Sequence, residues 1–157
     1  MSDFSFRPAV PGDAPLIVAL LRELADYEKL QAIFHLDEGA VRRDMMGDAC
    51  RCELAFAGDA PAGIASWYWT YKSFRAARGL YVEDLYVRPD FRGRGLGRQL
   101  LARLAGEAAS VGGFLEWQVL TWNAPSIAFY ESLGARKMTD WLGCRLEGEA
   151  LRKLAGT

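Results

Sequence analysis

Along this chain, apolar residues switch between a spacing of two and a spacing of three to four. Phe4-Ser5-Phe6-Arg7 alternates as a strand does, and Pro8 to Gly12 breaks it. Asp13, with Pro15 following, predicts a helix start, and Ile17, Leu20, Leu21, Leu24 and Tyr27 recur behind it at helical spacing. Asp37 predicts a second cap, for a helix through Val41 and Met45 that Gly47 ends. Cys50 to Ala57 alternates, Gly58-Asp59 is a hairpin signal, and Ala62 to Thr70 is rich in β-formers. Tyr71 to Gly79 reads as an exposed loop, Leu80 to Val87 as a strand, and Arg88 to Gly95 as a basic loop. Leu96, Leu100, Leu101, Leu104 and Ala108 then mark one face of a helix over Leu96 to Val111, stopped by Gly112-Gly113. Phe114 to Trp122 predicts a strand, and Pro125 to Leu133 a short helix closed by Gly134. Two short strands follow, at Lys137 to Trp141 and Cys144 to Glu147, then a helical turn over Glu149 to Leu154.

The order β-α-α-β-β-β-α-β-α-β, without repeat or linker, predicts one domain over 1–157 of the α/β class, with an α+β mixed sheet. At 51% apolar residues the chain can bury a core, which excludes a disordered segment. A net charge of -1, with no basic block, excludes a nucleic-acid binder and an electrostatic membrane anchor. No apolar run approaches the roughly 18 residues of a membrane span, and no leader pattern opens the chain, so a cytoplasmic protein is expected. Cys50, Cys52 and Cys144 with the single His35 make too few ligands for zinc. Free thiols in a reducing compartment, and no metal, are the expectation.

The chemistry begins at Arg92-Gly93-Arg94-Gly95-Leu96-Gly97, between a strand and a helix. Glycines there allow a tight bend, and the unpaired N–H groups of a helix start favour an anion such as a diphosphate. The segment is not a Walker loop, because Arg98-Gln99 follows the last glycine. Nor is it a dinucleotide fingerprint, because its glycines fall at 93, 95 and 97. The spacing R-x-x-G-x-G, from Arg92 through Gly95 to Gly97, resembles the pyrophosphate loop of the GNAT superfamily of N-acetyltransferases. The strand Leu80 to Val87 before it resembles that family's cofactor strand. The segment Asn123-Ala124-Pro125-Ser126-Ile127-Ala128-Phe129-Tyr130, with Leu133-Gly134-Ala135 after it, resembles its second signature. Phe6-Arg7-Pro8-Ala9, Glu23 to Glu28, Trp69-Thr70-Tyr71 and Tyr81 to Asp84 are similar to the diamine (spermidine/spermine) and thialysine branch, so the likeness runs from about Phe4 to Arg145.

The resemblance implies acetyl-coenzyme A as co-substrate, held by a core over about 80–135. The cofactor contacts it implies are the backbone of Leu85, Tyr86 and Val87, the loop Arg92, Gly93, Arg94, Gly95, Leu96, Gly97 and Arg98, and Asn123, Pro125 and Ser126. Of that loop, the backbone amides are the safer contacts than the arginine side chains. It implies Tyr130 as general acid for the leaving thiolate, an N–H near Leu85 for the developing oxyanion, and a homodimer. An amine with a pKa near 10 must lose a proton before it attacks, which calls for a carboxylate. Glu83 and Asp84 both adjoin the loop; neighbours on a strand face opposite ways, so only one faces the cleft, and the resemblance selects Glu83. Tyr27, Glu28, Glu83, Glu116, Trp117 and Gln118 fall where this branch lines its acceptor pocket. Lys72 stands where polyamine-acetylating members carry an acid, and Arg75 adds positive charge, so a short diamine or a lysine-like amine is expected over spermine. A protein or antibiotic amine, and a non-catalytic acyl-coenzyme A binding module, are the alternatives.

Overall fold

A computed structural model describes residues 4–47 and 49–156. The chain forms two compact units, 1–120 and 121–157. The first is built on a five-stranded sheet in the order β1 (Ser5–Pro8), β2 (Arg51–Ala57), β3 (Ala60–Lys72), β4 (Ala77–Val87) and β5 (Phe114–Trp117). Every neighbouring pair is antiparallel except β4 and β5, which run parallel. Helices α1 (Ala14–Glu28), α2 (Glu38–Asp44) and α3 (Leu96–Ser110) complete the unit.

The alternation of the strands sorts the two faces. Cys52, Leu54, Ile64 and Tyr86 pack with Ile17, Leu20, Leu21 and Leu24 of α1 and Val41 of α2. Gly63 points the other way: a Cβ there would meet Leu96 and Leu100 of α3. Helices therefore cover both faces of the sheet, whose mixed α/β character the sequence pattern predicts.

The hairpin is longer than expected. Tyr71 and Lys72 extend β3 and pair with Arg78 and Ala77, so only Ser73 to Ala76 remains as the turn. Strand β5 is shorter than expected and stops at Trp117, opposite Val82. At that point β4 bulges. Ser66 pairs with Asp84 and Trp67 with Val82, which leaves Glu83 as one extra residue on β4. A bulge bends its strand and increases the local twist, and past it β4 has β3 on one side and no described strand on the other.

Arg88 anchors the end of β4. Its guanidinium forms an ion pair with Glu23 of α1 at 2.8 Å and donates to the Pro61 carbonyl at 3.1 Å. Asp37 caps α2 through the Ala40 N–H at 2.7 Å. Asp13 precedes α1 without capping it; its carboxylate is taken by Arg7 and by the Val10 N–H.

The second unit holds α4 (Ala124–Ser132) and α5 (Gly148–Ala155). Asn123 caps α4, accepting from the Ser126 N–H at 3.3 Å. The strands expected at Lys137 to Trp141 and Cys144 to Glu147 do not form. Every residue from 136 to 156 is exposed, and no described residue of this stretch joins a strand ladder. Alternation alone does not hold an extended backbone without such a partner.

Candidate active site

The cofactor side is a strand edge followed by a glycine turn. Arg88 N–H donates to the Ala62 carbonyl at 2.9 Å. In an antiparallel ladder, hydrogen-bonded pairs alternate with non-bonded ones, so Tyr86 and Asp84 also bond to β3. Leu85 and Val87 consequently turn their backbone groups to the open side. This corrects the expectation for Tyr86, whose backbone serves the sheet and whose ring is buried in the α1 core. It also narrows the expectation for Val87, whose carbonyl accepts from Arg92 Nε at 2.8 Å.

Beyond β4 the turn rises through Gly93 and Gly95, at φ of +72° and +79°. Both lie in the left-handed region that side-chained residues avoid. Gly95 is the residue before α3, and its carbonyl accepts the first helical bond, from Gln99 at 3.0 Å. The N–H groups of Leu96, Gly97 and Arg98 have no partner within the helix, which leaves an anion-binding end. The first turn of α3 carries no acid to compete. The residues therefore fit a diphosphate.

The arginine side chains do less for that purpose than the sequence implies. The Arg92 guanidinium lies over the rings of Tyr27 and Tyr86, at 5.2 and 5.7 Å, while its Nε holds Val87. Arg94 lies over Phe4 at 5.0 Å and Phe91 at 5.9 Å. These stacks give the loop its shape.

On the α1 face, a cleft of about 550 Å³ opens beside the bulge. Leu21, Leu24, Ala25 and Glu28 line it from α1, one helical face at spacings of three and four. Ile33, Phe34 and Leu36 close its apolar side, and Tyr68, Glu83 and Asp84 its polar end. Both acids of β4 face it. The bulge suspends the alternation that sequence reasoning relied on, and Asp84 is the residue that reasoning set aside.

Three carboxylates thus share one cleft. Burial pushes the Asp84 carboxyl up to about 6; a hydrogen bond from the Ser66 hydroxyl opposes this, and the charges of Glu83 and Glu28 add to it. Burial also raises Glu28. Tyr68 is pushed up to about 12, by burial first and then by Glu83. It stays protonated and donates to Glu83 Oε2 at 3.3 Å.

Of the expected acceptor residues, the cleft gathers Glu28 and Glu83 and leaves out Tyr27, Glu116, Trp117 and Gln118. Tyr27 lies on the next face of α1, under Arg92. Glu116 forms an ion pair with Lys72 at 3.3 Å, so that lysine is engaged on β5 and not in the cleft. Trp117 is half-buried at the end of β5, and Gln118 is exposed beyond it. In the second unit, Asn123 is buried, Tyr130 is half-buried, and the Tyr130 ring lies 5.3 Å from Phe129. Pro125 falls in the first turn of α4 beside Ser126.

A glycine turn leading from an open strand edge into a helix is the feature that decides the family, and the sequence profile of the Acetyltransferase (GNAT) family matches residues 18–135. The chain is a GNAT acetyltransferase. Thialysine N-epsilon-acetyltransferase of Bos taurus is 36% identical over 170 residues, with 99% of each chain covered. The enzyme of that name from Caenorhabditis elegans is 34% identical, again with 99% of each covered. Among solved structures, an integron cassette protein from the mobile metagenome of V. cholerae superposes with a TM-score of 0.83 at 24% identity. It covers 100% of this chain and 99% of its own, a likeness of fold. The chain is thus an acetyl-coenzyme A-dependent N-acetyltransferase of the thialysine/diamine-like branch, which closes the non-catalytic alternative. No described helix of this acetyltransferase is long and apolar enough to cross a membrane.

Proposed function

We propose that this acetyltransferase acetylates the primary amine of a small molecule, a short diamine or a lysine-like amino acid such as thialysine. The observation that carries the reading is the cleft, with Glu28, Glu83 and Asp84 gathered at its polar end and aliphatic walls behind. Carboxylates attract an ammonium group, and apolar walls suit the methylene or thioether chain attached to it. Relatives named for thialysine, similar over nearly the whole chain, support the same class.

Acetyl-coenzyme A supplies an activated acetyl carbonyl and a thiolate leaving group. In the first unit the backbone of Leu85 and Val87 and the loop from Arg92 to Arg98 would hold it, with backbone N–H groups carrying most of the phosphate recognition; in the second unit Asn123, Pro125 and Ser126 are the contacts that the family resemblance implies. The Leu85 N–H, turned to the open edge, donates to the carbonyl oxygen as charge develops there. Glu83 accepts the proton that the ammonium must lose, directly or through water. Asp84, ionised above about pH 6, holds the charged amine deeper in the cleft. Tyr130 holds a proton for the departing sulfur. No covalent enzyme intermediate is needed.

The test is acetyl-coenzyme A-dependent thiol release against thialysine, lysine, putrescine, spermidine, a histone-like peptide and an aminoglycoside. Preference for one small amine supports the proposal. Preference for the peptide or the aminoglycoside overturns the substrate class and keeps the chemistry. A homodimer belongs to the same proposal and is tested by light scattering. So does a cytoplasmic location, which three free cysteines favour.

A further inference from the structure

Cys50 and Cys52 have no part in acetyl transfer, yet Cys50 stands at the acceptor cleft. It lines the 550 Å³ cleft together with Glu28, Glu83 and Asp84. It also lines a second hollow of about 220 Å³ with Arg51, Trp67, Tyr68 and Trp69. Cys50 therefore borders two cavities. Cys52, two residues on, is buried in the α1 core, and Cys50 packs against that same core cluster while its thiol donates to the Arg51 carbonyl at 3.6 Å. The proximity of the two thiols makes Cys50 the more acidic and Cys52 the less acidic. Such a pair divides into an accessible attacking sulfur and a protected resolving sulfur. Cys50 lies one residue before β2 and so outside its ladder.

The geometry points to Cys50 and Cys52 as a peroxide-reactive dithiol that closes to an intrachain disulfide in the wall of the acceptor cleft. The Cys50 thiolate attacks one oxygen of a hydroperoxide; an S–O bond forms, the O–O bond breaks, and hydroxide or alkoxide leaves. The Cys52 sulfur then attacks the Cys50 sulfur; an S–S bond forms and the S–O bond breaks. The departing oxygen leaves as water with the Cys52 proton. Two electrons pass from the sulfurs to the peroxide.

Closure draws the Cys50 side chain out of the cleft toward the core. Cys50 is bound to the end of α2, its N–H donating to the Asp44 carbonyl at 2.9 Å and its carbonyl accepting from Gly47 at 3.0 Å. Met45 and Ala49, which also line the cleft, belong to that turn. The disulfide therefore disturbs amine binding and leaves the glycine cradle untouched. This effect on activity rests on the amine-cleft reading; disulfide formation does not.

The experiment uses the full chain carrying Cys144→Ser, which removes the exposed third thiol. The native protein is treated with hydrogen peroxide and analysed by intact mass, thiol titration and peptide mapping. The expected result is a loss of about 2 Da with both thiols consumed, a peptide bearing the Cys50–Cys52 crosslink, and reversal by dithiothreitol. The KM for the preferred amine rises about tenfold or more on oxidation, while acetyl-coenzyme A affinity stays within about twofold. Adding Cys50→Ser abolishes the reaction with peroxide; this wall residue can be exchanged even if Cys52→Ser disturbs the core. Two thiols that still titrate after treatment, a crosslink only between chains, or undiminished reactivity in Cys50→Ser overturns the dithiol. A disulfide that forms without changing the amine KM overturns the regulatory part. An untreated enzyme inactive toward every amine marks failure of the substrate reading, with the dithiol judged on mass alone.

Discussion

Asp84 carries its charge where burial resists one, beside Glu28 and Glu83, and its pKa stands at about 6 against an ordinary 3.8. Between those values the folded chain keeps a proton that the unfolded chain has lost. Stability therefore falls as pH rises through the window, by about 2–3 kcal/mol in total. Asp84→Asn removes the charge and keeps an oxygen for Ser66. Its melting temperature should exceed that of the parent at about pH 8 and match it at about pH 4, where both side chains are neutral. Its activity should fall, and thermal melts across pH beside initial rates check both. In the parent, kcat/KM should rise through about pH 6 as Asp84 ionises. Tyr130→Phe should lower kcat by about 10–100-fold and leave acetyl-coenzyme A affinity within about twofold, measured by steady-state kinetics and calorimetry. At this scale the sequence was a partial guide. Glu28 and Glu83 could be chosen from it by resemblance. Asp84 could not, because the rule that separates neighbouring strand residues holds only where the ladder is regular, and a bulge leaves no mark in composition.

Secondary-structure elements were legible where their signals are local. Helices α1 and α3 show their apolar stripes and α2 its cap, and Gly58-Asp59 marks the β2–β3 turn. The sequence predicts too long a turn between β3 and β4, because Tyr71 and Lys72 look like loop residues until Arg78 and Ala77 pair with them. The two strands expected after α4 lack any such partner. Register is a property of two segments together, and one segment's alternation does not disclose it. The cradle is local in the same favourable sense. Gly95 sits at φ +79°, and a Cβ there would meet only the Gln99 side chain at an ordinary 3.9 Å, so backbone conformation and not crowding demands glycine there. Gly95→Val should destabilise the fold by about 1–2 kcal/mol and abolish acetyl-coenzyme A binding. Denaturant unfolding and calorimetry read the two effects separately.

At the scale of the whole chain, the family match crosses from the first compact unit into the second, from residue 18 to residue 135. The binding signatures are thus spread over both units, and the last stretch of chain lies outside the match. That stretch, 136–156, is exposed throughout and carries Arg136, Lys137 and Arg145 in irregular backbone. Limited trypsin digestion should cut there well before it cuts β2, β3 or β4, as peptide masses over time would show. Early cleavage within the sheet would contradict the arrangement described. The extra residue on β4 has a consequence for how such a site changes over generations. Glu83 and Asp84 share a face because β4 is one residue longer than β3 opposite Ser66 and Trp67, a matter of count before it is a matter of kind. Codon exchanges can alter either side chain but leave the offset in place. Loss or gain of a single codon between Val82 and Asp84 would undo the offset at one stroke, so the spacing of the two acids is guarded against point mutation and open to small insertions and deletions.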